Sequence, residues 1–432
     1  MTHSWIPSGE LIEKSNLSAF LDFTGTRDYD DLLERSNQDR AWLTQKVFEF
    51  CDFRWFEPCS KWLDVTGGEP HAQWCVGGKT NIVLNCLDRH KDTPTYDQDY
   101  LVWAGEEPGQ SLTMTYREFD QQVCQLACAL SSRGVKQGEV VAIYLPNIPS
   151  SFVAFFAVLK LGAILMPLFS GFGPEPIAAR LQDCQPKVVV TTDFARRRGA
   201  LIPMKAVLDE ALRELPEVQT VVVVRSAPGS DTVLQPGRDI WLDDLVSGHP
   251  EQCETVALPA EAPALLLYSS GTSGRPKGCI WTHVGFLGSM VARDVHICGD
   301  FKKDDRFFFM SDMGWMVGAM CALVPSLFGA SVLLAEGAPD FPTLDRFWEL
   351  VDRHNVTYLG VSPSLVRGLM RGGNPRDRFD LSSLRITCSG GEAWTDSTWL
   401  WFFENVCNQR LPIINISGGT VVGGAILIGR VH

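Results

Sequence analysis

Paired cysteines are the first thing missing from this sequence of 432 residues. Its 13 cysteines are odd in number and scattered, with no CxxC pair and no Cys/His cluster at zinc-ligand spacing, so no residues are assigned to a metal. Cys124 and Cys128, the closest pair, sit at helical i, i+4 spacing in the apolar run from Val123 to Leu130. This usage excludes a disulfide framework and fits free core thiols in a reducing compartment, the cytoplasm or another such as the mitochondrial matrix. No run is long and apolar enough to span a bilayer, and the N-terminus lacks the basic-then-apolar order of a signal peptide. Positive charge is scarce too: 38 Lys and Arg against 51 Asp and Glu leave a net charge of −13. That balance excludes a non-specific binder of nucleic acid or acidic membranes, and an anionic ligand then needs local positive groups. The chain is otherwise ordinary for a globular protein, at 45% apolar and 21% charged residues. It is long enough for about three lobes.

The phosphate loop of the common ATPases, Gly-x-x-x-x-Gly-Lys-Ser/Thr, is also absent. A different loop stands out, Tyr268-Ser-Ser-Gly-Thr-Ser-Gly-Arg-Pro-Lys-Gly278, directly after the apolar run Ala264 to Tyr268. Ser269, Ser270, Thr272 and Ser273 offer hydroxyl donors. Gly271 and Gly274 let backbone N–H groups approach one anion, and Lys277 adds a full positive charge. The composition suits phosphate; a flexible Gly/Ser turn is the other reading.

Along the chain, residues 1–97 form a wrapping segment rich in tryptophan and charge. Trp42, Trp55, Trp62 and Trp74 read as packing anchors. After Gly77-Gly78, Ile82, Leu84 and Leu87 seat a helix whose Asn81, Asn85 and Asp88 make a polar stripe. From 98 to 262 a hairpin (Tyr100–Trp103, Leu112–Tyr116) leads into alternating helices and Val/Ile-rich strands at 140–145, 163–167, 187–191 and 220–224, closed by a connector from Ser226 to about Ala262. From 263 to 432 a second series has strands at 264–268, 307–310, 330–334, 357–361, 385–388 and 411–416. Uninterrupted apolar strands alternating with helices define α/β, doubly wound and mostly parallel. Ligands of such sheets bind outside the carboxyl ends of the strands, so the loops at 268–278, 389–393 and 415–424 are expected to converge.

Asp312-Met-Gly-Trp315, Gly391-Glu392 and the 415–424 loop follow the first loop in the order seen in the adenylate-forming superfamily, and the sequence resembles its acyl-CoA synthetases. Trp74-Cys-Val-Gly-Gly-Lys-Thr-Asn…Asn85…Asp88-Arg-His90, and Gly337-Ala-Pro339 ahead of Phe347-Trp348-Glu349, are similar to the acetyl-CoA synthetase branch. Ile416-Ser-Gly-Gly-Thr420 looks like acetoacetyl-CoA synthetases and some plant acyl-activating enzymes. The resemblance runs from about Trp55 over nearly the whole chain. It implies two doubly wound sheets with helices between and around them, the N-terminal domain of such enzymes. It also implies ATP, Mg²⁺ and coenzyme A acting on a small carboxylic acid, through an acyl-adenylate. By resemblance, Ser269, Ser270, Gly271, Thr272, Ser273 and Gly274 with Lys277 hold the β/γ phosphates. Gly391, Glu392 and Ala393 frame adenine. Asn415, Ile416, Ser417, Gly418, Gly419 and Thr420 line the nucleotide, with the Thr420 hydroxyl at the α-phosphate as the catalytic contact. Trp315, Met316 and Val317, with Gly418, wall the acyl pocket. Arg197, Arg198 and Gly199 fall where that branch touches coenzyme A, although a solvated basic patch fits them equally.

The sequence departs from the family at three places. Ser417 and Gly418 replace a bulky Trp-Trp, which opens space for an acyl group larger than acetate. Val421 replaces the glutamate that helps hold Mg²⁺, and a valine offers no oxygen ligand. The chain ends before the ribose-binding Asp and the C-terminal lysine domain, so a truncated N-terminal portion with weak turnover is expected, its last strand (425–429) cut short. A non-catalytic relic, and an enzyme loading a carrier protein, are the rival readings.

Overall fold

The computed structural model describes residues 5–227, 229, 231–269 and 276–431. Two large sheets organise it. A seven-stranded sheet runs Asp239–Trp241, Thr220–Val224, Val188–Thr192, Val140–Tyr144, Ile164–Pro167, Pro263–Ser269, Lys277–Thr282 in spatial order. An eight-stranded sheet runs Gly424–Ile428, Ile413–Gly419, Ile386–Gly390, Tyr358–Val361, Arg306–Phe309, Ser331–Ala335, Asp99–Ala104, Ser111–Thr115. Neighbours are parallel except in three edge hairpins, 263–282, 99–115 and 413–428.

Side chains alternate across a strand, and here the alternation sorts them into separate cores. Val141, Ile143, Val188, Val190, Phe307, Val332 and Leu334 point inward into one core shared by both sheets. Ala142, Tyr144, Val189, Val221 and Val223 face the opposite side of the first sheet, with Ile177, Leu181 and Leu208 of the helices Pro174–Cys184 and Met204–Ala211. Phe308, Leu333 and Leu359 do the same on the second, against Phe347 and Trp348 of Arg346–Arg353. Strands buried on both faces explain why they read as continuous apolar runs. Between the sheets lie Pro149–Lys160 and Met316–Phe328, in which Ser151–Lys160 and Gly318–Leu327 are buried without interruption. A helix apolar all round belongs in an interior. Tyr100 and Tyr116 tie this layer across, their hydroxyls donating to Ala322 O (2.9 Å) and Ala330 O (2.7 Å).

Two expectations need correction. The two sheets do not divide the chain at 262: the hairpin 99–115 joins the eight-stranded sheet, and 263–282 closes the edge of the seven-stranded one. Strand pairing depends on a partner hundreds of residues away, which no local pattern reports. The supposed connector 226–262 contributes the edge strand Asp239–Trp241 and the helix Leu242–Val246. The last strand is an antiparallel edge strand, Gly424–Ile428, registered on Ile416–Gly419.

The polar stripe of the helix Ile82–Cys86 is buried rather than solvated. Asn81 caps the helix and its amide donates to Leu159 O and Val256 O. Asn85 bonds Arg54 and Thr80. Asp88 accepts from Lys160 Nζ (3.1 Å), whose side chain is 0% exposed and which also faces Asp120 at 3.7 Å. Lys91 also reaches Asp88 (2.7 Å) and Asp120 (3.2 Å), so removing Lys160 leaves two carboxylates sharing one cation, a net buried charge. Lys160→Ala is therefore expected to cost about 3–5 kcal/mol in urea unfolding. Lys187→Ala, at the exposed pair with Glu139, is expected to cost about 1 kcal/mol or less.

Candidate active site

A cleft of about 830 Å³ opens between the sheets at the carboxyl ends of their strands. From the eight-stranded sheet come Phe309 to Asp312, Gly390 and Gly391, Ile416 and Gly418 to Thr420; from the seven-stranded one, Pro146, Asn147 and Phe169 to Gly171. The helix Met316–Phe328 presents Met316, Val317 and Met320, and Trp315 stands at its N-cap. Arg196 and Arg197 enter on a small hairpin, Ala195–Arg197 with Ala200–Ile202.

Asp312 joins the two sheets across this cleft. Its carboxylate accepts the Ser170 hydroxyl and backbone N–H and the Gly314 N–H (2.9 Å). Burial pushes the Asp312 carboxyl above its ordinary value, against the pull of those hydrogen bonds and of the Arg197 guanidinium. A Cβ at Gly314 would fall 2.3 Å from Phe169 N, so only glycine lets the two loops meet. Phe169 and Trp315 then pack with ring centroids 5.5 Å apart.

The turn after Gly419 is fastened to the seven-stranded sheet and to the helix Leu287–Cys298. Trp281 Nε1 donates to Thr420 O (2.8 Å), Ser289 Oγ to Gly423 O (3.0 Å), and Ala425 N to Asp294 Oδ2 (2.8 Å). A Cβ on Gly418 would meet Gly424 O at 2.2 Å, so the hairpin closes only with glycine there. Val421 lies just beyond, 76% exposed. Among the described residues no group of three or more His, Cys, Asp or Glu could hold a metal ion, and the valine offers no oxygen, so position 421 supplies no ligand and a Mg²⁺ here would rest chiefly on nucleotide phosphates and water.

The hairpin bearing the arginines rests on two buried carboxylates. Glu106 accepts Arg198 N (2.8 Å), Gly199 N (2.9 Å) and Ala338 N (2.8 Å). Glu336 lies beside it, 3% exposed. Burial pushes its carboxyl up to about 7; the Arg196 backbone and guanidinium oppose this, Glu106 adds to it, and Arg346 opposes it.

The structure brings Trp315, Met316, Val317, Gly391, Ile416, Gly418, Gly419, Thr420 and Arg197 together in the cleft. It does not bring Arg198, Gly199, Glu392, Ala393, Asn415, Ser417, Ser269 or Lys277 into the lining. Arg198 pairs outward with Asp340 (2.7 Å) and Gly199 packs on Phe341. Glu392 accepts Ser364 N (2.7 Å) at the start of the helix Pro363–Leu369. Asn415 accepts the Trp394 indole N–H (3.0 Å). Ala393 and Ser417 are exposed. Ser269 and Lys277 face each other in the edge hairpin, with Lys277 exposed. Ser270, Gly271, Thr272, Ser273 and Gly274 lie outside the described residues. Sequence reasoning assigned no role to Asp312, Ser170, Arg196, Glu106 or Glu336. Asp312 had a signal, a carboxylate two residues after the apolar run Phe307–Met310; the others meet only through folding.

The chain belongs to the AMP-binding enzyme family, whose model matches residues 87–431; the acetyl-coenzyme A synthetase N-terminus model matches 29–86. Enzymes of this family use ATP, Mg²⁺ and coenzyme A. The chain is 35% identical over 430 residues to an acetyl-coenzyme A synthetase of Rhodopirellula baltica, covering 98% of the chain and 62% of that protein. It is 38% identical to one of Gemmatimonas aurantiaca, covering 92% and 61%. Among solved structures it matches acetoacetyl-CoA synthetase from Streptomyces lividans, with TM-score 0.90 and 26% identity, over 99% of the chain and 66% of that one. The expectation of an N-terminal domain only, with the C-terminal domain absent, does not stand as a description of the fold: both sheets, within 99% of the chain, superpose on a solved synthetase. The chain spans less than two thirds of the length of these relatives.

A carboxyl raised from 4.5 to about 7 by burial favours the folded state when protonated, so that stability is present below pH 4.5 and lost as pH rises through about 7. Over that window the loss attributable to Glu336 is up to about 3 kcal/mol. Glu336→Gln keeps the shape and removes the titration. Its urea midpoint is expected to fall less than that of the unchanged protein between pH 5 and 8.

Proposed function

We propose that the cleft activates a carboxylic acid with ATP, and that the acyl-adenylate passes its acyl group to coenzyme A. The carboxylate oxygen attacks the α-phosphorus as the bond to pyrophosphate breaks; the thiol then displaces AMP, giving a thioester and releasing a proton. One observation carries the reading: Gly391, Gly418–Thr420, Trp315–Val317 and Arg197, from four separate stretches, line one cleft. The first step gathers like charges, so orientation and fixed donors supply its rate. Thr420, held through its carbonyl by Trp281, offers its hydroxyl at the reacting phosphate. Gly391, with the adjacent Glu392 and Ala393, frames the base. Asn415, Ile416 and Ser417 follow the nucleotide. Lys277 and Ser269 stand at the foot of the loop assigned to the outer phosphates. Arg197 is the arginine of its hairpin that meets the coenzyme, since Arg198 is turned to Asp340 and Arg196 is paired with Glu107. Mg²⁺, when bound with the nucleotide, neutralises phosphate charge.

The acyl group is larger than acetate, because position 418 excludes any side chain that would close the pocket. The match to the acetyl-coenzyme A synthetase N-terminus favours coenzyme A over a carrier protein as acceptor. A cytoplasmic location belongs to the same proposal, since these relatives are bacterial, and they give no support to the mitochondrial alternative. Among the described residues no helix is long and apolar enough to cross a membrane. Val421 favours a second reading, a nucleotide-binding protein without catalysis. Calorimetry with ATP, AMP and a non-hydrolysable acyl-adenylate separates the two: adenylate affinity well above that of AMP is expected, and its absence supports the second reading. Because Val421 is exposed, Val421→Glu adds a ligand without burying charge. ATP affinity in that variant is expected to rise about tenfold with Mg²⁺ and not without it, a gain of about 1.4 kcal/mol.

A further inference from the structure

We propose that the acid activated here is an unbranched monocarboxylic acid with an apolar tail of about four to eight carbons, measured by a wall of Met290, Met310, Met316 and Met320. The inference rests on the reading of the cleft as an adenylating site. Four of the chain's 10 methionines line this cleft. They arrive from three elements: Met290 from the π-wound helix Leu287–Cys298, Met310 from the end of the strand Arg306–Phe309, and Met316 and Met320 one turn apart on Met316–Phe328. Met290 and Met320 are 0% and 2% exposed, while Met310 and Met316 are half-buried, so the wall runs from the mouth into the interior. Phe309, Val317 and Ile416 complete the apolar lining.

Methionine has three rotatable bonds and a polarizable thioether, so such a wall fits a flexible chain better than a rigid ring, which calls for a preformed slot. Apart from Arg197 and Thr420, which the adenylating reading gives to the coenzyme and the nucleotide, the lining's charged and amide side chains are committed elsewhere and leave little for a second charge on the tail. The Asn147 amide donates to Ser311 O and Ala335 O, Asp312 holds Ser170, Ser362 caps Leu365, and Arg196 pairs with Glu107. From the hairpin 413–428, position 418 sends no side chain inward, because Gly418 is locked against Gly424.

The test titrates the intact chain with AMP and with acyl-sulfamoyl adenosines from acetyl to decanoyl. Affinity is expected to rise about fourfold per methylene until the recess fills, then level off. With methyl-¹³C methionine, the Met290 and Met320 signals are expected to shift with the octanoyl compound and not with the acetyl one. Met320→Ala is expected to move the plateau to longer chains and Met320→Phe to shorter ones. Equal affinity across the series, or benzoyl or ω-carboxyl compounds binding more tightly than hexanoyl, overturns the methionine-wall proposal alone. Failure of AMP and every analogue to bind overturns the adenylating reading, and the proposal with it.

Discussion

Everything in this fold depends on one layer of helices that neither sheet can do without. Pro149–Lys160 and Met316–Phe328 expose no polar face. Each must be covered on every side, and only two sheets facing one another cover them. Burial of this kind is the dominant favourable term in folding, and it has no direction of its own. Direction comes from the strands, whose parallel order sends their carboxyl ends to the same edge. The cleft is what remains at that edge, where the apolar layer stops and loops take over.

Polar contacts then decide how the two lobes meet. Asp312 on Ser170 and Trp281 on Thr420 each cross from one sheet to the other, and Asp294 on Ala425 ties the helix Leu287–Cys298 to the edge strand. Hydrogen bonds to a charged group are worth more than neutral ones, and Asp312 makes several at once. Two glycines bring the backbones close enough for these bonds: Gly314 beneath Phe169 and Gly418 against Gly424. The same closeness keeps a side chain out of the cleft at position 418, the feature on which the proposed acyl size rests. The buried carboxylates behind Arg196 and Arg197 show the opposite economy. Glu106 is matched by three backbone donors, whereas Glu336 sits nearby with an upward-shifted carboxyl.

Local chemistry by itself marked out the long apolar strands, though not the strands Asp239–Trp241 and Lys277–Thr282 or the helix Leu287–Cys298. Thr220–Val224 lies where its four valines put it, and Tyr116–Ser132 starts at a capping box formed by Thr115 and Glu118. The motif glycines and Trp315 were also visible, because glycine after an apolar strand is a local signal. Arg198 stands outside the cleft for a reason that only folding supplies: it sits in the turn just past the strand Ala195–Arg197, at φ +53°, with its backbone N–H on Glu106 and its side chain on Asp340. Asn81, Asn85 and Asp88 carried helical spacing, yet spacing alone does not say whether a polar stripe meets water or buried partners.

What the sequence determined unaided was the α/β alternation, the family motifs and the positions, Gly418 and Val421, at which this chain departs from them. Tertiary structure alone decided that 99–115 and 263–282 exchange sheets, that Asp312 reaches Ser170, and that four methionines from three elements share one wall. Periodicity records which way a side chain points along its own element. It carries no record of what stands opposite, because that depends on contacts between residues more than a hundred positions apart.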